Sequence, residues 1–541
     1  MQTNVVSIFI VIVVVLIILA LLHWLFGWKE HKQYYFVADE VVFEITHPTG
    51  TPPAAIRNAL QGFLNPKGND SQQASVGNTQ RANRNWRKRL QSPTLLTDSR
   101  IITFPSLNDQ SVSLVPIPLV PFSLNRLNGH RKRDLRPNDV ISVLNGAYAE
   151  LQNIPREVGT DIRLISFSPN WLTSDLHHGA ATGGPGSWPL SVTHPGLNQQ
   201  MIHLVQGPSA ATSGKKVKVA VLDTAPVSAE DETRIRALIP TLAPVSYENI
   251  SPGNSQSLNG LRPYTPPSEH IQMPDHGTFV ASIIHSAAQN AATIHLYEVL
   301  NNYGVGTFTI VAQGLDKAIK DLDDGSTPFI INCSFMFRVP PGEDLLADLD
   351  VPISNLIGSI RNVFETKTQT KPYITIVAAA GNDNDGSLPK RPEACYPAAF
   401  KNVVSVGALP SENYPPDPQN AQRYKVASYS NSSYSQHEGK LPDEGYMTYG
   451  GELDNPPGAM SGDPISSNGV LGVYLGPIAK RGPSGTIVIS SPKNPTEWAR
   501  WAGTSFAAPI ITGLLAMGFA LPRPSQYRTV DGENVIKVKQ P

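Results

Sequence analysis

The sequence predicts an α/β fold, a mostly parallel sheet with helices on both faces, from about Lys215 onward. Two observations carry this. Apolar runs rich in β-branched residues recur at Val217–Leu222, Ile294–Leu300, Phe329–Phe335, Ile374–Ala380 and Val403–Ala408, as in strands buried on both faces. Helical stretches fall between them, at His276–Asn290, Phe308–Leu322 and Pro352–Lys367. Parallel neighbours need such crossovers, and the crossovers cover both sides of the sheet. Composition agrees with a packed core. Of 541 residues 40% are apolar and 16% charged, against about 25% charged in an average domain. Pro (48) and Gly (42) together stay below the roughly 25–30% of a low-complexity chain, which excludes a disordered or collagen-like protein.

The first element is expected to be a transmembrane helix over residues 5–28. Ser7 is the only polar residue from Val5 to Leu22, and Trp24, Leu25, Phe26 and Trp28 extend the apolar reach. About 20 helical residues match a hydrocarbon core of about 30 Å. The segment lacks the basic start and small-residue cleavage site of a secretory signal, so a retained single-pass anchor is expected, with Trp24 and Trp28 at the interface. Lys29 and Lys32 favour a cytoplasmic bulk, while the low charge and high Pro content suit an exported protein; the side stays open.

Residues 29–210 read as an α+β or partly disordered region. A strand is expected at Val41–Ile45, a helix at Pro53–Leu64, a polar linker at Pro66–Gln91, a helix at Asn138–Gln152, a strand at Arg163–Phe167 and a Gly/Pro-rich linker at Ala181–Pro189. Two basic runs, Arg87–Arg89 and His130–Arg133, read as solvated loops or as exposed processing sites. The net charge of −1 offers no electrostatic footprint for nucleic acid. Two cysteines, Cys333 and Cys395, are too few for a disulfide scaffold or a cysteine-based zinc site, and both a pair and two reduced thiols are open to them.

Four short segments carry chemistry. Asp223 ends a strand in Val-Ala-Val-Leu-Asp-Thr (219–224). His276 opens a helix in Asp-His-Gly-Thr-Phe-Val-Ala (275–281). Asn382 follows a strand in Ala-Ala-Ala-Gly-Asn-Asp (378–383), and Ser505 precedes an apolar helix in Gly-Thr-Ser-Phe-Ala-Ala-Pro (503–509). Alone, each has a plainer use as a cap, a turn former or a core histidine. Together they fill four roles of one reaction. A hydroxyl needs an adjacent base to attack a carbonyl. Imidazole is that base, and a carboxylate fixes its tautomer. An amide N–H can receive the developing oxyanion.

These segments, in the order Asp, His, Asn, Ser, resemble those of the subtilisin-like serine proteases, the subtilases, whose triad is known to run Asp, His, Ser. The resemblance covers roughly Lys215 to Ala520 and implies a subtilisin-like fold and serine endopeptidase activity on polypeptides. It implies Asp223, His276 and Ser505 as the triad and Asn382 as oxyanion donor. It further implies that Ser334 pairs with substrate backbone, that Ala379, Ala380 and Gly381 line the primary specificity pocket, and that Cys395 lies near its floor. Catalysis needs no cofactor on this reading, and structural calcium is allowed by the resemblance, although no compact acidic loop names its ligands. No catalytic metal is expected.

The departures from the family pattern are Ala225 and Pro226 after Asp-Thr, where Gly is usual, and Met336 where the substrate strand usually has Gly. The expected organisation is an anchor at 5–28, an N-terminal region at 29–210 that takes the place of a propeptide, a catalytic domain at 211–520 and a tail at 521–541. The stretch Ser432–Asn494, rich in Gly, Pro and Ser, is expected to be inserted surface loops. The protein is expected at the cell membrane. An α/β-hydrolase esterase is disfavoured, because Ser505 lies in no Gly-x-Ser-x-Gly and comes last.

Overall fold

The computed structural model describes residues 36–64, 87, 90, 101–105, 110–119, 137–150, 156–173, 188–193, 202–204, 216–226, 228–245, 273–337, 357–366, 371–384, 390–410, 416–417, 420–453, 468–481, 487–523 and 525–539. The expected anchor at 5–28 lies outside these residues. Among the described residues no helix is long and apolar enough to cross a membrane.

The N-terminal unit is an antiparallel sheet carrying two helices. Its elements are β1 (Phe36–Pro48), α1 (Pro53–Leu64), β2 (Ile102–Pro105), β3 (Gln110–Pro118), α2 (Pro137–Glu150), β4 (Arg156–Gly159) and β5 (Ile162–Trp171). The strand order is β2-β3-β1-β5-β4, a split βαβ arrangement with β4 added at one edge. Helix α1 buries Ile56, Leu60 and Leu64, four residues apart, so one face meets the sheet. Strands β2 and β3 were not anticipated. Short strands β6 (Leu190–Val192) and β7 (His203–Leu204) lead into the second unit.

The second unit contains β8 (Val217–Asp223), α3 (Ala229–Leu238), α4 (His276–Ala288), β9 (Ala292–Glu298), α5 (Phe308–Leu322), β10 (Phe329–Cys333), α6 (Gly358–Arg361), β11 (Ile374–Ala379) and β12 (Val403–Leu409). It continues through the short strands β13 (Pro416–Asp417) and β14 (Asn420–Tyr424), then β15 (Tyr446–Tyr449), β16 (Val470–Val473), β17 (Ile478–Arg481), β18 (Ile487–Ser491), β19 (Trp498–Trp501) and α7 (Thr504–Ala516). The tail adds β20 (Arg528–Thr529), β21 (Asn534–Val535) and β22 (Val538–Lys539).

Strands β15, β12, β11, β10, β8 and β9 lie side by side, each parallel to the next. The fold class is therefore α/β, as the alternation predicts. Side chains of β8 alternate between the faces. Val219 and Val221 pack with α4 and α7, through Phe279, Ile283, Ile510 and Leu514. Ala220 and Leu222 face α5 and the N-terminal unit.

Several boundaries differ from expectation. Strand β9 stops at Glu298, because Val299 and Leu300 both donate their N–H to the Asp223 carbonyl. Strand β10 stops at Cys333. The helix expected over 352–367 is described only from α6, which widens into a π-helical turn at Asn362–Thr366. Ser432–Asn494 is not only surface loops. It supplies β15 to the main sheet, with all four residues buried, and Ser432, Ser433, Tyr434 and Ser435 are buried too. The tail is also incorporated, since β21 lies parallel to β15. Runs of two to four residues in a Pro/Gly-rich context leave no period to read.

The two units share one apolar core, in which Phe43, Phe167 and Leu144 belong with Phe308, Leu315 and Phe364. Polar contacts tie them as well. Glu44 on β1 is fully buried and accepts from Ser166 Oγ, from Ser359 Oγ at 3.1 Å and from Asn362 Nδ2 at 2.7 Å. Burial pushes its carboxyl up, and these three donors oppose the shift. Asn170 Oδ1 accepts from Thr309 N at 3.2 Å, in the first turn of α5. Beyond β5, Leu172 bridges to Thr307, and Thr173 N donates to Gly306 O at 3.0 Å.

Candidate active site

The site lies at the carboxyl ends of β8, β10 and β11, where ligands bind in open α/β sheets. Asp223 ends β8 and is fully buried. Its Oδ1 accepts from Thr224 N at 2.7 Å and faces His276 Nδ1 at 2.8 Å. Helix α4 starts at His276, so the imidazole is anchored by the apolar face behind it. Gly277 makes this approach feasible. A Cβ there would lie 2.2 Å from the Thr224 carbonyl oxygen and 2.9 Å from Asp223 Cβ. The His276 ring is walled by Trp501 edge-on and by Phe506, each with centroids at 5.4 Å.

Ser505 opens α7 and is 1% exposed. Pro509, four residues on, has no N–H for the Ser505 carbonyl. That carbonyl accepts from Ser334 Oγ at 2.8 Å instead, while Ser505 Oγ donates to Ser334 O at 3.0 Å. The reciprocal pair pins the end of β10 to the first turn of α7. Asn332 Nδ2 donates to Ser334 Oγ at 2.9 Å and Thr512 Oγ1 donates to Asn332 Oδ1 at 2.9 Å, extending the pinning through α7.

Asn382 Oδ1 accepts from both Thr504 N and Thr504 Oγ1, each at 2.9 Å. Two donors on one amide atom fix its orientation, so Nδ2, the donor end, points away from Thr504. Gly381 is strained for any other residue. Its φ is +117°, and a Cβ would meet Asn431 Nδ2 at 2.6 Å and Met336 Sδ at 3.1 Å. Met336 therefore packs against this turn.

The other expected residues surround this group. Ala379 ends β11, Ala380 N donates to Val406 O, and Ala380 O accepts from Cys395 N. Gly381 N donates to Thr504 Oγ1, and its carbonyl accepts from Asn431 N. The backbone groups of Ala380 and Gly381 are thus committed within the protein. Both cysteines are free thiols. Cys333 is buried in β10, and burial, with Asp223 nearby, pushes its thiol well up. Cys395 Sγ donates to Asp383 Oδ2 at 3.3 Å.

Sequence reasoning did not single out Asn431, which braces the turn by accepting from Asp383 N at 2.8 Å. Asp275 was likewise passed over. Burial, and next the nearby Asp231, push its carboxyl up to about 7. Its Oδ2 accepts from Leu475 N at 3.2 Å, while Oδ1 is buried without a partner. No signal marks Asn431, which lies about fifty residues from the turn it holds. Among the described residues no three His, Cys, Asp or Glu side chains gather to hold a metal ion, so no calcium ligands are assigned.

A strand-end carboxylate bonded to a helix-opening imidazole, with a serine at a second helix start behind an oriented amide, defines a serine hydrolase on an α/β sheet. The sequence profile of the subtilase family matches residues 214–525, more than half of the chain. The chain belongs to the subtilase family and is a subtilisin-like serine peptidase. No curated protein matches it significantly. Solved structures that match include a lanthipeptide protease, 19% identical, with a TM-score of 0.34, over 59% of this chain and 85% of that one.

Proposed function

We propose that the chain is a single-pass, membrane-anchored serine endopeptidase whose triad is Asp223, His276 and Ser505. The observation that carries the triad is the 2.8 Å contact between the buried Asp223 Oδ1 and His276 Nδ1. With Nδ1 committed, Nε2 is the ring nitrogen for the nucleophile. Ser505 Oγ leaves Ser334 O by rotation about χ1, passes its proton to His276 and attacks the peptide carbonyl. Asp223 stabilises the imidazolium, which then protonates the leaving amine. Asn382 Nδ2 receives the oxyanion, with a backbone N–H near Ser505 as partner. Ser334 and the wall formed by Ala379, Ala380 and Gly381 hold the substrate. No cofactor takes part.

The N-terminal unit is a prodomain-like partner of the catalytic domain. Its chain leaves β5 and lies along Gly304–Thr307, on an edge that an extended peptide would otherwise use.

A fluorophosphonate probe is expected to label Ser505, located by peptide mapping, before or after limited proteolysis of the N-terminal unit. A folded protein unlabelled in both states would instead be a binding scaffold without the chemistry. The anchor at 5–28 is tested separately. The full chain is expected in the membrane pellet after alkaline extraction, and a chain beginning after residue 28 in the supernatant. Release of the full chain would remove the anchor from the reading.

A further inference from the structure

Asn382 sits between two residues that Asn431 holds. Asn431 N donates to Gly381 O at 3.0 Å, its Oδ1 accepts from Asp383 N at 2.8 Å, and its Nδ2 donates to Asp383 Oδ2 at 3.0 Å. Asn431 thus fixes the chain on both sides of the amide. What fixes Asn431 comes from the far end of the sequence. Its carbonyl accepts from Arg391 Nη1 at 3.2 Å. The other arm of that guanidinium, Nη2, donates to Glu533 Oε2 and to Asp531 Oδ2, each at 2.5 Å, and Nε donates to Asp531 Oδ2 at 3.0 Å. A planar guanidinium carries its donors in a rigid fork, so holding one arm aims the other.

Glu533 is fully buried in the C-terminal tail, while Asp531 is exposed. A buried carboxylate is tolerated only when paired and hydrogen-bonded. Glu533 Oε1 accepts from Ser433 N at 2.7 Å and from Ser433 Oγ at 3.1 Å. Its Oε2 accepts from Thr529 Oγ1 at 2.7 Å as well as from Arg391. Ser433 lies two residues after Asn431, so the carboxylate grips this loop twice, directly at Ser433 and through Arg391 at Asn431. The tail itself is anchored elsewhere. Strand β21 pairs with β15, Asn534 N donates to Gly445 O at 3.1 Å, and Asn534 Nδ2 donates to Asp443 O at 2.6 Å.

We propose that Glu533 and Arg391 are positioning residues for the oxyanion donor. The C-terminal tail clamps the loop that carries Asn431, and Asn431 sets the backbone from which Asn382 Nδ2 projects. The inference rests on Asn382 as that donor. Neither Glu533 nor Arg391 touches substrate. Oxyanion stabilisation depends on a donor already placed where the charge will develop, and a misplacement of about 1 Å from a distant change costs up to about 10²-fold in rate. The Thr504 bonds orient the Asn382 amide, and the clamp holds the main chain on either side of it. Loosening the clamp is felt in the transition state more than in substrate binding, so kcat falls while KM stays.

The test uses the full chain. Glu533→Gln keeps the shape and removes the charge that holds Arg391. Arg391→Lys keeps a charge facing Glu533 and loses the fork that reaches Asn431. Each is expected to lower kcat on a peptide p-nitroanilide on the order of tenfold, with KM within about twofold, when assayed below its Tm. Asn382→Ala alone is expected to cost about 10²–10³ in kcat, and adding either substitution to it less than about twofold more, because the donor being positioned is gone. Losses that simply multiply would overturn the proposal and leave the clamp a structural one. Amide hydrogen exchange gives a reading free of catalysis. The Asp383 and Asn431 N–H groups are expected to exchange on the order of tenfold faster in Glu533→Gln than in wild type. Unchanged exchange at both would sever the tail from the turn and overturn the proposal. An Asn382→Ala loss below about tenfold would instead overturn Asn382 as the donor, and faster exchange would still show that the tail holds the turn. Should Glu533→Gln not fold, Arg391→Lys supplies both readings.

Discussion

Ser505→Ala is expected to lower kcat for peptide hydrolysis on the order of 10⁶-fold, the size known for the equivalent loss in subtilisin itself, while leaving the fold intact. The second half of that statement comes from the geometry. Ser505 Oγ makes one bond in the described structure, to Ser334 O, and losing it costs about 1 kcal/mol. The return bond, from Ser334 Oγ, goes to the Ser505 main-chain oxygen and survives the substitution. So does the pair of donors from Thr504 to Asn382 Oδ1. Turnover and Tm are thus expected to separate, with activity lost at a nearly unchanged melting temperature. Undiminished hydrolysis by a purified Ser505→Ala sample would remove the serine from the mechanism. Loss of activity together with a collapsed Tm would say only that the first turn of α7 had been broken, and Ser505→Cys, which conserves the shape, would then be the variant to measure.

The parts of this site that were legible in the sequence are those whose roles depend on near neighbours in the chain. Asp223 could be read because β8 is a buried run whose last residue must sit at the carboxyl edge of the sheet. His276 and Ser505 could be read because each starts a helix with an apolar face. The central parallel strands were visible for the same reason, since continuous β-branched runs announce burial on both faces. What stayed hidden is what depends on pairing across space. Tyr446–Tyr449 joins the central sheet, but four residues between polar loops carry no period. Strand β3 pairs with the central β1 of the N-terminal unit and β2 pairs with β3, yet both are bordered by polar stretches that read as linkers. Asn431 reaches Gly381 and Asp383 only after β12 and the following loop have folded back. Glu533 is the extreme case. A glutamate in the polar stretch Asp531-Gly532-Glu533-Asn534 reads as exposed, and only the donors from Arg391, Ser433 and Thr529 reveal why it is buried.

Asp223→Asn is expected to lower kcat by about 10⁴-fold, the second largest effect, at a modest cost in stability. The carboxylate does its work through a single oxygen. Oδ1 serves both Thr224 N and His276 Nδ1, while Oδ2 is buried with no partner. An asparagine has two ways to sit, and both fail. With its oxygen in the Oδ1 place it keeps both donors and the right tautomer. It then puts an NH₂ where the orphaned Oδ2 lies and has no charge to stabilise the imidazolium. With the amide flipped, NH₂ faces both Thr224 N–H and the ring. His276 Nδ1 must then accept, its proton moves to Nε2, and the base can no longer take a proton from Ser505. Either arrangement leaves the serine in place and the protein folded. Fluorophosphonate labelling is therefore expected to slow in parallel with kcat rather than vanish, and Tm to stay within a few degrees of wild type. A loss of less than tenfold in both kcat and labelling rate would show that the 2.8 Å contact is not what prepares His276, and would remove Asp223 from the triad.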